Sequence, residues 1–338
     1  VNMLRVIVSA DGVAVRDAEV PRPGAGEVQV RTVVAGVCGS DAHALQGRHP
    51  FITLPYAPGH EVAGVVTEIG AGVTNVAVGD RVTMEPFLPC WECKQCLAGR
   101  QNVCERLGFF GCGHDQGAMA EFFTVDQRRL HGIPDQLDWT QAAFIEPLST
   151  PVHAIRLAGG VAGKTVAILG AGTIGLLTLR AARAYGAKRV VMTARSELNR
   201  ARALKFGPDA VVDANAEDAV LLEALGESAD VVFDCVAEQS TMDQALALAN
   251  KAGTVVVVGV PPEPVTVPLP MIQDSQLSIR GSATYLPEDF ADAMRLLTDG
   301  SVVVDEMVTS LRPLAEAAGA FDDACSGAHI KVLLDLRQ

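Results

Sequence analysis
Thr165-Val166-Ala167-Ile168-Leu169 runs directly into Gly170-Ala171-Gly172-Thr173-Ile174-Gly175, and the helical periodicity of Ile174–Tyr185 follows without a break. A short, continuous apolar run closed by glycine reads as a strand buried on both faces, the kind a parallel sheet contains. The glycines permit a tight turn and let the backbone approach a pyrophosphate, while the first turn of the following helix presents unpaired N–H groups to the anion. G-x-G-x-x-G is common in loops, so the flanking strand and helix are what make Gly170, Gly172, Thr173, Ile174 and Gly175 a dinucleotide-binding signature.

Downstream, strand and helix keep alternating through Arg189–Thr193, Glu197–Phe206, Val231–Cys235 and Thr254–Val258, which predicts a doubly wound parallel sheet with crossover helices. Upstream the texture differs. To about Val125 the chain consists of short alternating runs broken by Gly and Pro, such as Glu27–Val34, Glu61–Ile69 and Asp80–Met84, and reads as a β-rich, barrel-like domain. After Ala283, Pro287–Thr298 and Leu314–Cys325 are helical in period, and the apolar run Ile330–Leu336 is read as a strand returning to the first domain. The expected division is therefore 1–150 with 284–338, and 151–283, with hinges near 148–152 and 283–288. A chain of 338 residues, 49% hydrophobic, is long enough for two cores.

Charge narrows the partners. With 27 basic and 40 acidic residues the net charge is −13, which repels nucleic acid and anionic membrane and leaves small molecules or further copies of the chain. Residues 1–10 alternate like a strand and lack the features of a secretory leader, and apolar stretches such as Val255–Val258 fall far short of the roughly 18 residues of a membrane span. A soluble, cytoplasmic protein is expected.

Cys90, Cys93, Cys96 and Cys104 form C-x2-C-x2-C-x7-C, a spacing that closes four thiolates around one tetrahedral ion, for which zinc is the natural occupant. An iron-sulfur ligand run begins the same way but brings its fourth cysteine after three residues, followed by Pro; here Glu105 follows. Four cysteine ligands leave no open coordination position, so this metal is expected to be structural.

A second donor set is scattered beside Gly and Pro: Cys38 in Gly36-Val37-Cys38-Gly39-Ser40-Asp41, His60 and Glu61 in Gly59-His60-Glu61, and Glu146 in Glu146-Pro147-Leu148. Mixed S, N and O donors with one place for water suit a catalytic zinc. Each residue alone is equally consistent with a core cysteine or an ordinary surface pair.

These motifs, with Glu146-Pro147-Leu148-Ser149 and the glycine turn, resemble the zinc-containing medium-chain dehydrogenases, especially the sorbitol (polyol) dehydrogenase branch, in order and over nearly the whole chain. The resemblance implies a GroES-like catalytic domain beside a Rossmann domain. It also implies two zinc ions per subunit, with Cys38, His60, Glu61 and Glu146 serving the catalytic one and the two glutamates exchanging between ligand and water-holding roles. Asp41 is implied to hydrogen-bond His60 and fix its tautomer. Ser40 is implied to be the relay hydroxyl beside the substrate oxygen, and His43 the group that passes the proton to solvent. A homotetramer or dimer is implied as well.

Two departures refine the expectation. NAD-using sorbitol dehydrogenases carry an acid where this chain has Ala194, and Ala194-Arg195-Ser196 offers a guanidinium and a hydroxyl with no carboxylate, so NADP(H) is expected, with NAD(H) possible and Arg200 assisting. Polyol-specific relatives carry a tyrosine at the position of Ala44 and an arginine at that of Thr284, before Tyr285. Without those polar contacts a less polar secondary alcohol or ketone becomes as credible as a sugar alcohol, and Phe109 and Phe110 are read either as pocket lining or as core. The alternative is a non-catalytic NADP(H)- and zinc-binding redox-sensing or structural subunit, which would have no need of the relay groups.

Overall fold
In the computed structural model, which describes residues 2–337, the first strands are β1 (Asn2–Ser9) and β2 (Gly12–Glu19), an antiparallel hairpin. β3 (Glu27–Val37), α1 (Gly39–Leu45), β4 (Glu61–Ile69), β5 (Arg81–Met84), β6 (Phe122–Asp126) and β7 (Leu130–Gly132) follow. β3 pairs antiparallel with β4 and β6. Alternation along β3 sends Val28 and Val30 into a core with Val62, Val66, Phe110 and Phe123, and Ala35 and Val37 into another with Val6, Val8 and Tyr56. β5 starts at Arg81 rather than Asp80, because the Asp80 carboxylate accepts the Ala77 N–H at 2.8 Å and closes a turn before the strand.

After α2 (Ile145–Leu157) the chain alternates β8 (Thr165–Leu169), α3 (Thr173–Ala184), β9 (Arg189–Ala194), α4 (Glu197–Leu204), β10 (Ala210–Asp213), α5 (Asp218–Leu225), β11 (Ala229–Asp234), α6 (Gln239–Leu248), β12 (Ala249–Val257), β13 (Ser278–Gly281) and α7 (Pro287–Thr298). The six strands are parallel in the order β10-β9-β8-β11-β12-β13, so the direction of winding reverses beside β8. Every residue of β8 is buried, as its unbroken apolar sequence requires of a central parallel strand.

β14 (Val308–Pro313), α8 (Ala317–Cys325) and β15 (Lys331–Asp335) complete the chain, and β15 pairs antiparallel with β3. The periodic run Leu314–Cys325 is split: Leu314–Glu316 forms a 3-10 turn, and the α-helix starts only at Ala317. The β-rich sheet therefore runs β14-β15-β3-β4-β5-β7, with β6 on the side of β3. The chain divides into two compact units, one running to Glu146 and resuming at Leu297, the other Pro147–Leu296. Among the described residues no helix is long and apolar enough to cross a membrane.

Candidate active site and metal centres
The four-cysteine lobe lies in the β-rich unit. The Sγ atoms of Cys90, Cys93, Cys96 and Cys104 all lie within 4.8 Å of one another, and Cys90–Cys96 and Cys93–Cys104 separations of 4.0 and 3.9 Å exclude disulfides. Backbone N–H groups aim at the sulfurs: Cys90 N–H donates to Cys104 Sγ at 3.2 Å and Arg106 N–H to the same sulfur at 3.3 Å. The backbone N–H of Glu92 leads the causes that lower the Cys90 thiol to about 6, while burial pushes Cys96 up to about 12. The donor set fits zinc. Trp91, in left-handed conformation at φ 67°, places its ring 4.4 Å from the Arg128 guanidinium and 4.8 Å from that of Arg129. Arg129 is buried, stacks on Phe87 at 5.1 Å and pairs with Glu85 at 3.2 Å, so the lobe is anchored to the barrel through cation–π contact.

The second donor set converges where two segments of the barrel meet. Cys38 caps α1 directly after β3, and His60 and Glu61 lead into β4. Their donor atoms lie within 4.8 Å of one another, and His60 and Glu61 are only 4% and 1% exposed. A soft thiolate, an imidazole and a carboxylate fit a catalytic zinc. Glu146 is buried in the first turn of α2 but lies outside this three-donor cluster.

Glu61 also has a partner that its sequence neighbourhood does not announce. Gly36 stands opposite Glu61 in the β3–β4 register, and Leu333 stands opposite Gly36 in the β15–β3 register. The missing side chain at Gly36 opens a gap through which Lys331 of β15 reaches Glu61; both side chains are almost fully buried, at 2% and 1% exposure. Burial alone would lower the Lys331 ammonium, but Glu61, then Cys38 and Glu146, outweigh it and hold it raised.

Asp41 does not hydrogen-bond His60. Fully buried, it accepts the Cys38 N–H at 3.0 Å and the Tyr56 hydroxyl at 2.8 Å. The group beside His60 Nδ1 is Cys112 Sγ, at 3.4 Å. The sequence signal for this is Gly111-Cys112-Gly113, where both glycines have positive φ, 74° and 108°. A side chain on Gly111 would collide with the backbone of Gly59, so the two chains touch and carry Cys112 to His60. Cys112→Ala is expected to weaken zinc binding at this centre by about 10–100-fold, as loss of a ligand's outer partner does; competition titration against a chromophoric chelator would measure it.

Ser40 lies in the first turn of α1, and its Oγ is buried without a hydrogen-bond partner. His43, three residues on, is exposed on the same helix. Phe109 sets its ring edge-on to His60, 5.6 Å between centroids, whereas Phe110 is core, 1% exposed and packed on Phe123 at 5.3 Å. Ala44 is buried in the core with Tyr56 and Phe321.

In the parallel-sheet unit Gly170 turns with φ 100°, and a side chain on Gly175 would overlap the Gly170 carbonyl, so both glycines are required by the backbone. Around Gly172, at the N-cap of α3, a side chain would meet nothing within 4 Å. The turn is tight, closely packed and open at its tip, which fits a dinucleotide pyrophosphate. Ala194 ends β9 and is 5% exposed, Arg195 is exposed, and Ser196 caps α4 by accepting the Asn199 N–H at 3.1 Å. Arg200 donates to the Ala194 and Arg195 carbonyls at 3.1 and 2.7 Å and pairs with Asp213 at 2.8 Å.

Residues 24–135 match the alcohol dehydrogenase GroES-like domain and residues 173–299 the zinc-binding dehydrogenase domain. The chain is 32% identical to sorbitol dehydrogenase of Arabidopsis thaliana, over 99% of this chain and 95% of that protein. Among solved structures, a protein of Sinorhizobium meliloti 1021 described as a zinc-binding dehydrogenase, with NADP bound, superposes with a TM-score of 0.92 at 35% identity, covering 99% of this chain and 100% of the other. 2R,3R-butanediol dehydrogenase of Bacillus subtilis superposes with 0.91 at 27% identity, again covering 99% and 100%.

Proposed function
Since this chain belongs to the zinc-containing medium-chain alcohol and polyol dehydrogenases, we propose that it transfers hydride between NADP(H) and a secondary alcohol or its ketone. The observation that carries this reading is the buried Cys38–His60–Glu61 donor cluster with the unpartnered Ser40 hydroxyl two residues from Cys38. Zinc held there would polarise the substrate oxygen while the nicotinamide gives or takes the hydride.

The chain's own residues then handle orientation and protons. Ser40 and His43 lie three residues apart on α1 and so share a face. The Ser40 hydroxyl, free of any other partner, would take the alcohol's proton into the relay, and the exposed His43 would be the group that returns it to solvent. Desolvation, then the charge of Arg48, hold His43 below its ordinary value, which keeps the imidazole neutral and able to accept. Oxidation therefore declines as pH falls through the His43 pKa. Arg48→Ala removes a neighbouring cation, raises that pKa and is expected to move the acid limb of the kcat/KM profile for alcohol oxidation to higher pH; an unmoved limb would remove His43 from the relay.

Arg195 at the end of β9, with no carboxylate in the position of Ala194, supports NADP(H), and the NADP-bound Sinorhizobium relative agrees. Phe109 edge-on to His60 sets an apolar ring beside the donor cluster, which supports a less polar alcohol as readily as a sugar alcohol. We further read the chain as a cytoplasmic homodimer or homotetramer holding two zinc ions per subunit, the second in the four-cysteine lobe, whose reduced thiolates suit that compartment. The test is nicotinamide absorbance with zinc-loaded protein, offering NADP and NAD separately against polyols, simple secondary alcohols and cyclic alcohols, with ketone reductions in reverse. Turnover with NADP on a secondary alcohol is expected; activity confined to primary alcohols or to NAD would overturn the corresponding part.

A further inference from the structure
The acid missing from the end of β9 has a counterpart one strand away. Asp213 closes β10 and stands in register with Ala194, the position where an adenine ribose normally meets a carboxylate. Adjacent strands lie about 4.8 Å apart, so this negative charge borders any 2′-phosphate bound at Arg195. Its side chain is 42% exposed, and its Oδ1 accepts from Asn215 N–H at 2.9 Å and Asn215 Nδ2 at 3.1 Å, which holds it in place.

Arg200 is the group that answers this charge. Its guanidinium lies 2.8 Å from Asp213 Oδ2 and is otherwise bonded to the carbonyls of Ala194 and Arg195. Those three contacts all fall on Nη1 and turn that edge of the guanidinium toward Asp213, whereas Arg195 is exposed and no bond or ion pair of its side chain occurs among the described residues.

On the NADP reading above, we propose that Arg200 sets cofactor preference indirectly, by neutralising Asp213 beside the 2′-phosphate that the exposed Arg195 contacts. With the pair intact the end of the sheet carries the single positive charge of Arg195. Without Arg200 that charge is cancelled by a carboxylate beside the ribose, the arrangement that favours NAD. Arg200 is thus a positioning residue for specificity, a different role from the assistance in phosphate binding expected of it from sequence.

The test is the dissociation constants of NADPH and NADH, read from nicotinamide fluorescence on the zinc-loaded full chain, with Tm as a check on folding. Arg200→Met is expected to lower the preference for NADPH over NADH by about tenfold, the size of one neighbouring charge largely screened by solvent. Adding Asp213→Asn to Arg200→Met should restore most of it. Equal weakening of both dinucleotides, or a double variant that recovers nothing, would make Arg200 a brace for the turn and overturn the proposal. Asp213→Asn alone keeps Arg200 and serves if Arg200→Met fails to fold: a relative gain for NADPH of about threefold is expected, and no gain overturns the idea. A wild type that binds NADH more tightly would refute the NADP reading, while the movement of the ratio in the variants still decides the role of Arg200.

Discussion

His60→Ala is expected to lower kcat/KM by at least about 10³-fold, because a zinc ion held as proposed above would lose its nitrogen donor, and such a Lewis acid is worth several kcal/mol in the transition state. His60 is 4% exposed and sits between the Cys38 and Glu61 donors on one side and Cys112 on the other. Truncation therefore leaves a thiol and a carboxylate facing a cavity rather than a closed donor set. The four-cysteine lobe shares no ligand with this centre, so half of the zinc should remain. Metal analysis of the purified variant separates the outcomes: one zinc per chain with activity lost fits the assignment, whereas two zincs with activity lost would make His60 an acid or base instead of a ligand.

Gly36→Ala should be strongly destabilising to the barrel. Its Cβ would overlap Glu61 Oε2 and approach Lys331 Cε to 3.0 Å, within a strand flanked on both sides. The buried pair must separate, and parting a buried ion pair costs about 3–5 kcal/mol because each charge is left without a partner. A lower urea midpoint with an unchanged slope is expected, together with weaker zinc binding, since Glu61 would be displaced from Cys38 and His60. A variant as stable as the wild type would mean that the barrel relaxes around the added methyl.

Much of the scaffold was legible because its signals are local. The strand Thr165–Leu169 and the helix Pro287–Thr298 fall where periodicity placed them, and the cysteine spacing gathers four sulfurs as expected. Boundaries drifted where a side chain intervened, as at Asp80, or where a proline-led 3-10 turn preceded a helix, as at Leu314. What stayed hidden depends on register between distant segments. Nothing near Lys331 in the chain marks it as the partner of Glu61; only the stacking of β15, β3 and β4 over Gly36 joins them. Cys112 reaches His60 through a contact between Gly111 and Gly59, and Asp213 matters only once β10 lies beside β9. Asp41 is the reverse case, a residue whose motif suggested one partner while the fold supplies Tyr56 and the Cys38 N–H.

If a zinc ion at Cys38, His60 and Glu61 serves NADP(H)-dependent alcohol chemistry, as proposed, removing that ion must abolish turnover. Chelator-treated protein, kept reduced, would be assayed for alcohol-dependent NADP reduction by nicotinamide absorbance and then titrated with zinc. Activity should vanish with the more exchangeable zinc and return in proportion to the zinc restored, faster with NADP than with NAD. Undiminished turnover by the protein lacking that zinc would contradict the claim.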